Sequence, residues 1–222
     1  MHRPARQPRP SPLPTPPPIC RPIRRSFRKL SRPLDFLVVA DRSDNMGFFP
    51  DLFAGKPEVI ADPQAKTWYD MIKGGQGGEA AIQIIMGFSA GTLPKSMIYG
   101  PETLPYKNAW QDTIKAAEEA NDPGRFTAFI GYEWTSNTGG NNLHRNVIFR
   151  DDATRASTVE PFTTMKPLGS DDPVDLWKWM ASYEQKTGGR VLAIAHNGNL
   201  SNGRMFPTVE ALGKPVDRAY AE

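Results

Sequence analysis

The sequence predicts an α/β fold over residues 34–222, preceded by a disordered arm rich in proline and arginine over residues 1–33. Short apolar runs rich in β-branched and aromatic residues alternate with segments whose apolar residues recur at helical spacing. Ten of the 22 prolines lie in the first 33 residues, a density that excludes regular helix or sheet there. One globular domain is therefore expected to begin near Leu34.

Four runs are predicted to be strands: residues 34–40, 126–132, 146–149 and 190–195. The first two are almost continuously apolar, which is typical of strands buried on both faces of a parallel sheet. Asp41, Glu133 and His196 follow three of these runs directly. Because reactive side chains collect at the carboxyl ends of parallel strands, these three residues are expected at one edge of the sheet.

The segments between the strands contain recognisable helix and turn signals. Residues 106–120 show helical spacing and end at an Asn-Asp-Pro-Gly turn, and residues 173–187 follow Asp172 as the N-cap and stop at Gly188. The glycine run at residues 74–78 is predicted to separate two helices. Residues 45–66, which are rich in glycine, proline and aromatic residues, are predicted to form an ordered irregular loop.

Composition limits the classes of partner and site. The arm carries nine Lys and Arg and no acid, whereas the remainder has 18 Lys and Arg against 24 Asp and Glu, a net charge of −6. The arm is thus a candidate for contact with nucleic acid or another polyanion. The single cysteine, Cys20, excludes an internal disulfide framework and a cysteine-based zinc knuckle. Neither a membrane-spanning run nor a signal peptide is readable, and the compartment stays open.

Three side chains of the body carry the candidate chemistry. His144 and His196 both lie in polar Gly/Asn settings, where they could be ligands, catalytic groups or hydrogen-bonded structural histidines. Glu133 follows a buried strand, so an inward-facing carboxylate there must be paired, protonated or metal-bound; the alternative is a solvated turn residue. Together they would offer the mixed N/O ligands that suit manganese, zinc or iron.

Four blocks of the sequence resemble the domain of unknown function family 3604: Leu34–Gly47, Phe126–Ser136, Asn141–Arg150 and Val191–Gly203. The most distinctive phrases are Phe-Ile-Gly-Tyr-Glu-Trp at 129–134 and Ala-His-Asn-Gly-Asn at 195–199. This family is similar in turn to the polymerase-and-histidinol-phosphatase superfamily. That resemblance implies a distorted (β/α)₇ barrel and a cluster of divalent metal ions that hydrolyses phosphoesters, with Glu133, His144 and His196 as ligands.

The resemblance also has departures, so a partial barrel with an incomplete metal site is expected. The His-x-His block should precede Leu34 and the Asp-x-His block should follow Glu222. Where the family has a histidine after Asp41, this chain has Arg42, which has no lone pair to donate and should direct its charge into the same cleft. His144 also precedes its strand, so either the loop returns to the site or the strand direction differs.

Two functional hypotheses follow. The first is a metal-dependent hydrolase of a small phosphoester or related ester, inactive if the site is incomplete. Asp41 would then either support the metal ligands from behind or act as the catalytic proton carrier. Asn197 would bind the substrate, as would Arg145, for which a surface ion pair is the alternative. The second is a non-enzymatic module in which the basic arm binds nucleic acid or another polyanion on a degenerate barrel.

Overall fold

The computed structural model of the chain describes residues 31–208, 210–211 and 213–216. The predicted disorder of residues 1–33, and with it the structure of the basic arm, falls almost entirely outside these ranges. The described residues form seven α-helices and eight short strands. None of these helices is long and apolar enough to cross a membrane.

The strands are short and concentrate in one mixed sheet. They are β1 (Phe36–Val38), β2 (Asp41–Arg42), β3 (Thr127–Phe129), β4 (Gly131–Trp134), β5 (Arg145–Phe149), β6 (Val191–Ala195), β7 (Glu210–Ala211) and β8 (Lys214–Pro215). The helices are α1 (Phe48–Ala54), α2 (Pro57–Ile60), α3 (Pro63–Lys73), α4 (Gly77–Ala90), α5 (Leu104–Ala120), α6 (Ala153–Ala156) and α7 (Pro173–Thr187).

The sheet has the spatial order β2-β4-β5-β6, and β1 and β3 extend the first two strands. The two pairs share one register, because Phe36 opposes Thr127, Val38 opposes Phe129 and Arg42 opposes Glu133, all in parallel, and the pairing is interrupted between Val38 and Asp41. Strand β5 runs antiparallel to both β4 and β6. A fully parallel sheet was therefore a wrong prediction, and the described residues form no closed barrel.

One face of the sheet is covered by helices α5 and α7. Side chains of β4, β5 and the two helices form a single apolar cluster that includes Trp110, Tyr132, Phe149 and Tyr183. A second cluster joins α1, α3 and α4 with the segment that contains Met97. The opposite face of the sheet is not covered in the same way, since Phe36 is 63% and Leu192 is 57% exposed. The prediction that the first strand is buried on both faces was therefore wrong.

Residues 45–66 are helical rather than irregular. The prolines that suggested a loop lie in the first turn of helices, where a backbone N–H has no partner within the helix: Pro57 begins α2, Pro63 begins α3 and Pro50 is the third residue of α1. Asp62 caps α3 by accepting a hydrogen bond from the N–H of Gln64 at 2.8 Å. Gly55, with φ +67°, ends α1. Glycine and proline here mark helix ends.

The other helix predictions are confirmed. Helix α5 ends at Ala120, directly before the predicted turn. The side chain of Asp172 accepts a hydrogen bond from the N–H of Val174 at 2.9 Å, and Gly188 ends α7 in the left-handed conformation. Helices α3 and α4 meet at the glycine run. These local signals fix where the polypeptide leaves each helix and returns to the sheet.

Candidate functional site

The candidate site lies on the face of the sheet opposite helices α5 and α7. Alternation along β4 directs Tyr132 into the apolar cluster and Glu133 to the other face. Arg42 on β2 is the register partner of Glu133, so it belongs to the same face. Glu133 is part of the strand and not the residue after it, and it is only 7% exposed.

The antiparallel direction of β5 brings the two histidines together. The backbone N–H of His196 donates to the carbonyl of His144 at 3.0 Å, which extends the pairing of β5 and β6 by one residue. The two imidazole rings lie with their centroids 5.8 Å apart. His144 thus reaches the carboxyl edge of β4 and β6 because its own strand starts there. Of the two alternatives left open by the sequence, the difference in strand direction is correct.

The carboxylate of Glu133 lies between the two imidazoles. Its Oε1 is 3.0 Å from Nδ1 of His144, and its Oε2 is 3.7 Å from Nε2 of His196. The hydroxyl of Thr135 donates to Oε1 at 3.2 Å. Burial alone would raise the pKa of the Glu133 carboxyl, but a hydrogen bond from His144 when its ring is protonated, together with the positive charge of Arg42, outweighs burial and holds that pKa below its ordinary value. Glu133 is therefore a carboxylate at neutral pH.

His144 directs an unpartnered nitrogen at this carboxylate. Its Nε2 lies 3.0 Å from Oδ1 of Asn137, whose amide is oriented by a 3.4 Å contact from its Nδ2 to the carbonyl of Thr135. Since Oδ1 can only accept, Nε2 carries the proton of the neutral ring and Nδ1 has the lone pair. Nδ1 is buried and has no hydrogen-bond partner, so its 3.0 Å approach to Oε1 is not aligned as a hydrogen bond.

His196 has a different environment. Its side chain is 36% exposed, and its Nδ1 contacts the amide nitrogen of Asn197. The Oδ1 of Asn197 accepts from the backbone N–H of Asn199 at 2.9 Å and from the side chain of Asn142 at 3.2 Å. The oxygen of Asn197 is thus engaged with two neighbouring donors, and its amide nitrogen contacts His196.

The structure does not bring two other predicted residues to the site. Asp41 opposes Tyr132, so the strand places it on the other face from Arg42 and Glu133. Arg145 is buried, donates to the carbonyl of Leu143 at 2.7 Å, and lies over the ring of Trp177. The sequence could not distinguish a phosphate clamp from a packed arginine, because either fits one position after a Gly/Asn loop.

Asn137, Asn142 and Thr135 are site residues that were not singled out from the sequence. The available signal was the polar loop 135–144 itself, since short amide side chains commonly bond to nearby backbone groups in such loops. Within the described part of the chain, no group of three or more His, Cys, Asp and Glu side chains is placed to hold a metal ion. Glu133 and His144 form a close pair, and His196 stands slightly apart.

A separate cavity of about 710 Å³ lies on the helical side of the sheet. It is bordered by α5, residues 157–162 and Trp179, with Lys107 and Glu160 in an ion pair of 3.6 Å at its wall. None of its lining residues belongs to the Glu133 site. The carboxylate and imidazoles are therefore not the floor of this cavity.

These features define an α/β protein with a carboxylate–histidine pair at the edge of a mixed sheet. The chain matches the family described as "Protein of unknown function (DUF3604)" over residues 19–222, and it belongs to that family. The match begins inside the proline-rich arm, earlier than Leu34, where the first of the resembling blocks begins. Comparison with the curated proteins gave no match. Comparison with the solved structures gave none either.

Proposed function

We propose that this protein is a metal-dependent hydrolase of the phosphoesterase type, acting on a small phosphoester or related ester. The observation that carries the proposal is the pair formed by Nδ1 of His144 and Oε1 of Glu133, 3.0 Å apart without a hydrogen bond. Two electron-rich atoms repel each other at that distance unless a cation lies between them. The cation is either a proton, giving an imidazolium–carboxylate ion pair, or a metal ion.

The pair fits a divalent metal. Two ligand atoms bound to one ion at about 2.0–2.2 Å lie about 3.0–3.5 Å apart, depending on the angle between them. One is an imidazole nitrogen and the other a carboxylate oxygen, the mixed set expected for manganese, zinc or iron. The hydrogen bond from Nε2 of His144 to Asn137 has the form of an outer partner that fixes a ligating histidine in its tautomer.

The surrounding residues have separable roles in this proposal. Glu133 and His144 would hold the metal, which supplies Lewis acidity toward a phosphoryl oxygen. Thr135 orients the carboxylate by donating to Oε1. Arg42 lies beside Glu133 with an exposed side chain, so its guanidinium can pair with the oxygens of an anionic substrate. The resemblance to the polymerase-and-histidinol-phosphatase superfamily implies His196 as a third ligand, but the pair proposed to hold the metal is Glu133 and His144.

The test measures metal binding and hydrolysis together. The full chain is titrated with manganese or zinc chloride by calorimetry and assayed with p-nitrophenyl phosphate. Glu133→Gln and His144→Gln are expected to reduce metal affinity at least tenfold. Glu79→Gln, which removes the same charge from an exposed position of α4, should leave it unchanged. Equal affinities in the wild type and both site variants would refute the metal site.

The arm supports a second candidate function. Nine Lys and Arg without an acid in residues 1–33 favour binding of a polyanion. Such binding should weaken with salt by a log–log slope of about 0.9 for each phosphate neutralised. Fluorescence anisotropy with labelled DNA at several salt concentrations measures that slope. An affinity that is unchanged after residues 1–33 are deleted would eliminate this function.

A further inference from the structure

The side chains of Asn142 and Asn197 form a relay whose orientation is fixed by backbone groups. The N–H of His144 donates to Oδ1 of Asn142 at 3.0 Å, so the Asn142 amide is oriented with its Nδ2 toward Asn197. That Nδ2 donates to Oδ1 of Asn197 at 3.2 Å, and the N–H of Asn199 donates to the same oxygen at 2.9 Å. Because a backbone N–H can only donate, neither amide can be flipped without two donors meeting.

The relay determines which nitrogen of His196 carries the proton. With its oxygen occupied, Asn197 presents its Nδ2 donor to Nδ1 of His196. The neutral ring must therefore accept at Nδ1 and carry its hydrogen on Nε2, the nitrogen 3.7 Å from Oε2 of Glu133. His144 faces the same carboxylate with the unprotonated Nδ1. Each oxygen of Glu133 thus meets a different kind of nitrogen.

We propose that Asn142 and Asn197 are positioning residues that hold His196 as a hydrogen-bond donor toward the site, while Asn137 holds His144 as the lone-pair ligand. The proposal rests on the proposed function and sharpens it. In this arrangement His196 presents Nε2–H to a bound anion, and the metal is held by Glu133 and His144. Asn197, expected from the sequence to bind substrate, acts through His196 instead.

The first test reads the protonated nitrogen directly. The sequence has only three histidines, so long-range ¹H–¹⁵N spectra of the ¹⁵N-labelled full chain contain three imidazoles, assigned by removing one histidine at a time. At pH about 8, above the ordinary histidine pKa of about 6.5, Nδ1 of His196 should show the shift of an unprotonated nitrogen. A protonated Nδ1, or the averaged shifts of two tautomers, would overturn the proposal.

The second test reverses the tautomer with one isosteric change. In Asn197→Asp an oxygen replaces the amide nitrogen, so Nδ1 of His196 must become the donor and Nε2 the lone pair. The ¹⁵N shifts of the two ring nitrogens should exchange character. A carboxylate behind a histidine also strengthens it as a ligand, so zinc affinity should rise about tenfold. Asn199→Asp adds the same charge two residues away, where only the backbone N–H is used, and serves as the control.

The outcomes separate this inference from the proposed function. Unchanged ring shifts in Asn197→Asp would refute the relay whatever the metal affinity. Equal zinc affinities of the Asn197→Asp and Asn199→Asp variants would refute the claim that the tautomer of His196 limits metal binding. If no variant bound zinc or manganese while the tautomer exchanged as expected, the relay would stand and the metal-dependent hydrolase would fail.

Discussion

Replacing Arg42 should strengthen metal binding at the Glu133–His144 pair. Arg42 and Glu133 are register partners on adjacent parallel strands, and the charge of Arg42 already lowers the pKa of that carboxyl. The same charge must oppose a divalent cation bound to the carboxylate. Arg42→Ala removes the repulsion, and Arg42→His removes it and adds a ligand nitrogen. The expected order of affinity is therefore Arg42→His, then Arg42→Ala, then the wild type.

The size of the effect follows from the geometry of the sheet. Neighbouring strands lie about 4.8 Å apart, and an extended side chain can swing away from its partner, so we take about 7 Å between the guanidinium and the metal. A unit charge and a dication at about 7 Å interact by about 5 kcal/mol at an effective dielectric of 20 and by about 1 kcal/mol at 80. Since Arg42 is exposed, the lower value applies. It corresponds to about a fivefold change in affinity.

Calorimetric titration of the three proteins with manganese or zinc chloride measures this order. Arg150→Ala is the matched control, because Arg150 is also exposed but follows β5 at the other edge of the sheet. A rise in the salt concentration should shrink the difference between the wild type and Arg42→Ala, as expected for an exposed charge. Identical affinities for the wild type, Arg42→Ala and Arg42→His would show that the metal is not held beside Glu133.

Three further predictions concern stability, measured by urea unfolding. Asp151 accepts hydrogen bonds from the Tyr183 hydroxyl at 2.9 Å and from the Arg190 N–H at 2.7 Å, so Asp151→Asn should destabilise the fold by about 1–3 kcal/mol. An unchanged free energy of unfolding would show that these hydrogen bonds do not stabilise the fold. Gly131→Ala should destabilise it, because the added methyl would lie 2.8 Å from a backbone carbonyl, whereas Gly78→Ala on α4, with open space, should stabilise it by about 0.5–1 kcal/mol. The pKa of the Asp151 carboxyl is lowered in the folded protein, so the carboxylate stabilises the fold at pH values above the ordinary aspartate pKa of about 3.9. The difference in unfolding free energy between the wild type and Asp151→Asn should therefore shrink as the pH falls below that value. A difference that stays constant with pH would contradict the lowered pKa.

The sequence predicted the positions of most elements because their ends carry local signals. The cap at Asp172, the stop at Gly188 and the turn after α5 depend only on neighbouring residues. The proximity of Glu133 to His196 was predicted because both stand at the carboxyl ends of strands with the same direction. These inferences needed no knowledge of distant contacts.

The direction of β5 and the exposure of the sheet depend on distant contacts. In the structure the connection from Trp134 to Arg145 has ten residues, shorter than the dozen or more that a parallel crossover needs. The strands predicted from the sequence, residues 126–132 and 146–149, left 13 residues between them, so length did not decide the direction. The exposure of the sheet was not predictable either. An apolar run shows that a strand can be buried on both faces, but α5 and α7 cover one face only, and Leu192 on β6 remains exposed.

The site depends on the register of β5 more than on the sequence of any loop. Because alternate residues of a strand face opposite sides, a shift of one residue along β4 and β6 would turn Arg145 toward Glu133 and His144 into the apolar cluster. The register is fixed by Val147 and Phe149, which are fully buried against the helices and would be exposed by the same shift. Burial of each of these two side chains contributes about 1.5–3 kcal/mol, and this contribution opposes the shift in register. The apolar face of β5 therefore positions the histidine on its polar face, and conservative changes at Val147 should alter metal binding as well as stability.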